Sequence, residues 1–287
     1  MHRLGIIILR EFRQKARGLA TVGILTFFLG VTGLVCYMTL ITGYISIEGG
    51  FTDAARVGRS LANAMLITQL VLTAIFGLSF NGSAITQERD RETIDLLNLT
   101  LLTNSEIVLG KMLASVLFIV LLLFAGLPFF ALSYTFGGWE MAELASAVLV
   151  IFSLVMLVST IGLAISVNSK DTRTALGRTF SILIVAVVAT LYFGIRYTSN
   201  FGTGGQLDYF HIVMGLLSLY VNPFYSLMSI LEPQFLNSGG GTPVQPSVYA
   251  YSSLPFWANA FIIQIAVSLA ALGIAIRNYG GIRKGER

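Results

Sequence analysis

Six stretches of this chain are apolar over lengths that suit one kind of fold only: Leu19–Ile45, Leu61–Ile85, Ile107–Phe136, Ala142–Val167, Ala175–Ile195 and Pro255–Ile276. A helix needs about 20 such residues to cross the hydrocarbon of a bilayer. Lipid offers no partner to backbone N–H and C=O groups, so only helices and closed barrels can span it. A barrel is built from ~10-residue alternating segments, and these runs do not alternate. The expected fold class is therefore all-α integral membrane, with six transmembrane helices. Composition agrees: 55% of residues are apolar and 11% charged, against about 25% charged in a soluble domain. Cys36 is the single cysteine, and no CxxC or Cys/His cluster exists, which argues against an internal disulfide and a metal site. The net charge of +4 reads as a topology signal rather than as a nucleic-acid footprint.

Basic residues set the orientation. With both termini inside, fifteen of the 18 Lys and Arg residues are cytoplasmic, and Arg56, Arg59 and Arg196 are outside. That bias predicts N-in, C-in. Residues 1–18 carry Leu4, Ile7, Ile8 and Phe12 at helical spacing, with Arg10, Arg13, Lys15 and Arg17 as a basic complement. This pattern predicts an amphipathic helix in the cytoplasmic interface. Residues 198–253 read as an outer insertion between the fifth and sixth spans. Within it, Tyr209–Leu231 is apolar, but Pro223 divides it and aromatics crowd it. Short outer helices, partly inserted or re-entrant, are expected there rather than a seventh span, followed by a loop at Asn237–Pro246. Pro128 should kink the third span, since it removes a backbone donor. The whole chain, 1–287, is expected to form one domain.

Between the second and third spans lies the one charge-dense segment flanked by long apolar runs, Thr86–Lys111, with eight ionic residues among 26. Thr103 and Glu106 form a capping box that should start the third spanning helix. Upstream, Ile94, Leu97 and Leu101 share one face of a short helix, which would lie along the membrane surface with Asp95 and Asn98 toward the cytosol. Glu88 to Arg91 would precede it as a solvated hinge.

The run Glu88–Lys111 resembles the loop between the second and third spans of ABC-2-type transporter permeases, without a gap. Thr93, Asp95, Leu96, Leu97, Thr100, Glu106, Gly110 and Lys111 fall on matching or similar positions. Glu92 stands where that family has glycine, and Leu101 where it has proline. The resemblance implies the membrane half of an ATP-driven transporter, in which two permease chains pair, identical or sister, and two separate ABC ATPase subunits dock beneath. ATP and Mg would be bound by those subunits, and this chain would carry no cofactor. The coupling region would lie within residues 86–106, with Arg91, Glu92, Thr93, Ile94, Asp95, Leu96, Leu97, Leu101 and Glu106 as its candidate residues. The loop Asn168–Arg178, with Lys170, Asp171 and Arg173, would be a second cytoplasmic contact. The outer helices would cap the path, the direction would be export, and the location the inner (cytoplasmic) membrane.

The residues are consistent with this on their own account. No GxxxxGK[ST] occurs, because Ser105 stands where the first glycine before Gly110-Lys111 would be needed. Any ATP dependence must then come from a partner. No ionisable residue sits mid-span, which argues against a proton- or ion-coupled carrier. Gln69 and Gln264 could line a path, although helix–helix hydrogen bonding is the commoner use of such groups. Ala266, Ala270 and Gly273 share a face of the last span that suits close helix packing. No catalytic constellation is visible, and no catalytic, cofactor or metal residue is assigned. The competing reading is an integral-membrane scaffold or assembly factor without transport activity.

Overall fold

The structure is a computed structural model and describes residues 2–16, 18–45, 51–92, 103–137, 139–203, 209–232 and 254–285. In chain order the helices are α1 (His2–Ala16), α2 (Leu19–Ile45), α3 (Phe51–Gly82), α4 (Thr86–Asp90), α5 (Asn104–Ala125), α6 (Leu127–Phe136), α7 (Met141–Val167), α8 (Thr172–Thr203), α9 (Tyr209–Val221), α10 (Pro223–Leu231) and α11 (Phe256–Gly285). No strand occurs among the described residues. Among the described residues, six stretches are long and apolar enough to cross a membrane: Thr21–Gly43, Ala54–Gly82, Asn104–Phe136, Met141–Val167, Thr172–Tyr197 and Phe256–Gly281. They are the six expected from sequence. The second begins earlier than Leu61, because Arg56 and Arg59 continue the helix past the apolar run. The expected break at Pro128 is present. α5 stops at Ala125, Gly126 bridges, and α6 restarts with Pro128 in its first turn, where a missing N–H is not needed.

α7 is the central helix, with α3, α11 and α10 packed around it. Its seam with α3 is close because glycines line it. A Cβ on Gly77 would come within 2.4 Å of Val158, and one on Gly162 within 3.1 Å of the Gly82 nitrogen. Asn81 fixes the register by donating to the Ser159 hydroxyl at 3.1 Å. Such approach is how helices associate in lipid, where no hydrophobic force drives them together. α11 buries Gln264, Ser268, Leu272, Ala275 and Tyr279, while Ala266, Ala270 and Gly273 lie on its exposed side. The small-residue face therefore makes no close helix contact among the described residues. α2 and α8 are peripheral: 17% and 11% of their spanning windows are buried in the protein, so most of both faces away from the bundle.

α9 and α10 are bent by 72° at Asn222–Pro223. This is the shape of a re-entrant pair or broken span, not a straight crossing. Three groups stabilise the bend. Asn222 accepts from the Phe224 N–H at 2.9 Å, which is the donor that a continuous helix would give to the Tyr220 carbonyl. Gln264 from α11 supplies the missing donor to that carbonyl at 3.1 Å. Opposite the α4 end of the bundle, Arg59 of α3 reaches Glu143 of α7 at 3.4 Å and the Leu231 carbonyl at 3.2 Å. It also lies over the Trp139 ring, 5.9 Å from the centroid.

Candidate coupling site

One cluster of charged groups gathers where α1, α4, α5 and the α7–α8 loop meet. α4 has five residues, too few to persist alone, and tertiary bonds hold it. The Ser166 hydroxyl accepts from the N–H groups of Ile85 and Thr86 at 3.0 and 3.3 Å. Asp90 accepts from the Thr172 N–H at 3.1 Å, Thr172 donates to the Thr86 hydroxyl at 3.1 Å, and Arg89 donates to the Ser169 carbonyl. Glu88–Arg91, expected as a solvated hinge, is exposed at Asp90 and Arg91 but is tied down on its other side. It is a docked turn, because the N–H groups at the end of α3 find Ser166 in the last turn of α7, and the side chains of Arg89, Asp90 and Thr86 bond to the α7–α8 loop and the start of α8.

Lys111 joins three elements. Its side chain is 5% exposed and pairs with Glu88 at 3.0 Å and Glu11 at 3.4 Å. A buried ammonium is tolerated only when paired and hydrogen-bonded, and here the two carboxylates come from α4 and α1. The meeting is set by an i, i+4 row on α1, Ile7–Glu11–Lys15. Ile7 lies over Gly110, where an added Cβ would come within 2.7 Å of its Cγ2. Glu11 meets Lys111, and Lys15 donates to Ser115. Sequence reasoning missed this joint. Its signal was present: two charges four residues apart on the row of Ile7, and a lysine inside an apolar run.

Arg91 and Glu92 follow α4 and are exposed. Glu92 has φ of +56°, the left-handed region that favours glycine. Glu92 stands where the resemblance expects glycine, and it adopts a backbone conformation that glycine favours. At the other end of the charged stretch the capping box is formed. Thr103 accepts from the Glu106 N–H at 3.3 Å, and Glu106 accepts from the Thr103 N–H at 2.8 Å. Thr93, Ile94, Asp95, Leu96, Leu97 and Leu101 lie outside the described residues.

In the second loop, Asp171 starts α8. It accepts from the Thr174 N–H at 2.9 Å and from its hydroxyl at 2.8 Å. Those bonds, with a smaller pull from Arg173 and Arg178, hold its carboxyl below the usual range. Lys170 and Arg173 are exposed beside it. The bonds from Arg89 and Asp90 place this loop against the head of the charged stretch, so the two expected cytoplasmic contacts adjoin. Gln69 and Gln264 are elsewhere, within the spans. Gln264 is fully buried and spends its amide on Ser153, Ser226 and the Tyr220 carbonyl. Gln69 is 4% exposed, and its amide nitrogen has no partner among the described residues.

Between α1, the start of α2, α3, α4 and α5 lies a cavity of about 320 Å³. Glu11, Lys15, Glu88, Arg91 and Lys111 stand in its wall, with Phe80 and Phe118 deeper in. Burial pushes the Lys15 ammonium down to about 8, against an upward pull from Glu11.

These features define a multi-pass helical membrane protein with ionic clusters at the two ends of its bundle, one around Lys111 and one around Arg59. The family model described as ABC-2 family transporter protein matches residues 6–279, and the chain belongs to that family. No curated protein matches it. The chain is thus a transporter membrane subunit of the ABC-2 class, a family that implies partnership with an ABC ATPase and the membrane.

Proposed function

We propose that this permease couples ATP hydrolysis by two copies of a separate ABC ATPase to export of a substrate from the cytoplasm, as a pair of identical or sister permease chains in the cytoplasmic membrane. The observation that carries the reading is the docked turn. α4 ties the head of the Arg91–Leu102 segment to the roots of α5, through Glu88–Lys111, and of α8, through Asp90–Thr172. A displacement of that segment by a moving ATPase reaches two spanning helices at once, and packed helices shift as rigid elements between discrete arrangements. The ATPase contact comprises Arg91, Glu92, Thr93, Ile94, Asp95, Leu96, Leu97, Leu101 and Glu106, with Lys170, Asp171 and Arg173 as the smaller one. ATP and Mg sit in the partner. The basic residues put this face in the cytosol and Arg59–Glu143 outside, where α9 and α10 cap the path. Of the two mid-span amides, Gln69 keeps a donor free, and we assign it to the path; Gln264 serves the bend.

Co-purification tests the reading. The tagged chain is expected to bring down an ATPase subunit. Leu97→Asp is expected to abolish that association while the protein stays in the membrane. A chain that captures no ATPase, with transport intact in Leu97→Asp, would instead support a scaffold.

A further inference from the structure

We propose that the cavity between α1, α2, α3, α4 and α5 is a binding site for a phosphate group carried at the membrane–cytosol boundary. Four observations carry this. The cavity is large enough, at about 320 Å³, for a phosphate ester and its first waters. Its charges are unequally matched. Lys111 is neutralised by Glu88 and Glu11, whereas Lys15 has the Ser115 hydroxyl and the Phe80 ring as partners and no carboxylate within ion-pair distance among the described residues. Glu11 attracts the Lys15 ammonium only from beyond ion-pair distance, and burial outweighs that attraction; a buried cation so weakly compensated is costly, and an anion beside it offsets that cost. Arg91 stands at the rim and offers the planar fork that suits phosphate oxygens. The 27-residue helix α2 begins at the same wall, with Gly18 and Thr21 lining it and no acidic residue in its first turn. Its positive end adds to the attraction.

The wall is polar where α1 and α4 face the cytosol, at Gln14, Gln87 and Arg91, and apolar where α2, α3 and α5 enter the span, at Ile24, Phe80 and Phe118. A lipid headgroup meets both halves; a free phosphate ester uses the polar half alone. The bound phosphate would bridge Lys15 of α1 to Arg91 beyond α4, and so reinforce the joint that Glu11, Lys111 and Glu88 already make. This inference does not depend on the ATPase reading, since binding is measured on the permease by itself.

The test is a thermal-shift titration of the full chain in neutral detergent. The probes are dioctanoyl phosphatidylglycerol, dioctanoyl phosphatidylcholine, glycerol phosphate and inorganic phosphate. Saturable stabilisation by the anionic lipid is expected. The affinity should fall about tenfold or more in Lys15→Gln, as for loss of a charge-assisted hydrogen bond. It should be retained in Lys15→Arg and unchanged in Arg178→Gln, at the same end of the bundle. Equal saturation by glycerol phosphate or inorganic phosphate, with the same dependence on Lys15, would assign the site to a soluble phosphate ester and reject the lipid. Should Lys15→Gln fail to purify, amine acetylation of the unmodified chain at pH 8, read by mass spectrometry, decides the matter. The probe must protect Lys15 and leave the exposed Lys170 reactive. Absence of stabilisation by every probe, identical binding in Lys15→Gln, or unchanged labelling of Lys15 would each overturn the proposal.

Discussion

Glu92 and Lys111 show what single residues contribute here. Holding a side chain at φ +56° costs about 1 kcal/mol that glycine would not incur. Glu92→Gly is therefore expected to raise the thermal midpoint of the detergent-solubilised chain, and a lower midpoint would show that the Glu92 side chain itself stabilises the turn. Lys111→Met acts in the opposite direction. It leaves Glu11 and Glu88 without their shared cation. Removing one partner of a buried pair costs 3–5 kcal/mol; both carboxylates retain some water, so a loss of roughly 2 kcal/mol is expected. Adding Glu88→Gln to Lys111→Met should restore part of the loss; a purely additive double variant would refute the coupling.

Lys15 gives a pH dependence of definite sign. Its ammonium titrates near 8 in the folded protein against an ordinary value of 10.5. Below pH 8 it is charged in both folded and unfolded chains, and the burial penalty is fully present. Between pH 8 and 10.5 the unfolded chain binds more protons, so stability rises with pH. Glu11, Glu88, Arg91 and Lys111 are the other charged groups that face the same cavity. Compared with Lys15→Met, the wild-type midpoint should gain from pH 8 to pH 10.5. A difference that is flat across this range would refute it.

Among elements, α1 and α5 have the most consequential contact. Ile7 sits where a Cβ on Gly110 would lie, at 2.7 Å. Gly110→Val should lever α1 away, break Glu11–Lys111 and weaken ATPase association without moving the spans. A disulfide between cysteines placed at Ile7 and Gly110 should form in wild-type geometry and fail to form if α1 is not seated there. The α1 helix, the capping box and the six spans were legible in the sequence, because each rests on local periodicity or a four-residue motif. The seat of α1 was not. Ile7, Glu11 and Lys15 define a row, but only the fold shows that Gly110, Lys111 and Ser115 receive it. The same holds for Glu88–Arg91: polarity suggests solvent, and the Ser166 and Thr172 partners lie some 80 residues further on. Gln264 was ambiguous between path and packing, since its use depends on a carbonyl released at Tyr220 by a break in another helix.

At the scale of the molecule, polar contacts at the two ends bracket a core held by close packing around α7. One end is centred on Lys111, the other on Arg59. The second end bears on how the protein is made. Arg59 emerges from the ribosome with the second span, but Glu143 follows 84 residues later and the Leu231 carbonyl 172 residues later. Until α10 has been synthesised, the guanidinium has no complete set of acceptors. Closure of the Arg59 end of the bundle must therefore await the later helices, and a chain truncated before Leu231 is expected to leave that end more accessible to proteases.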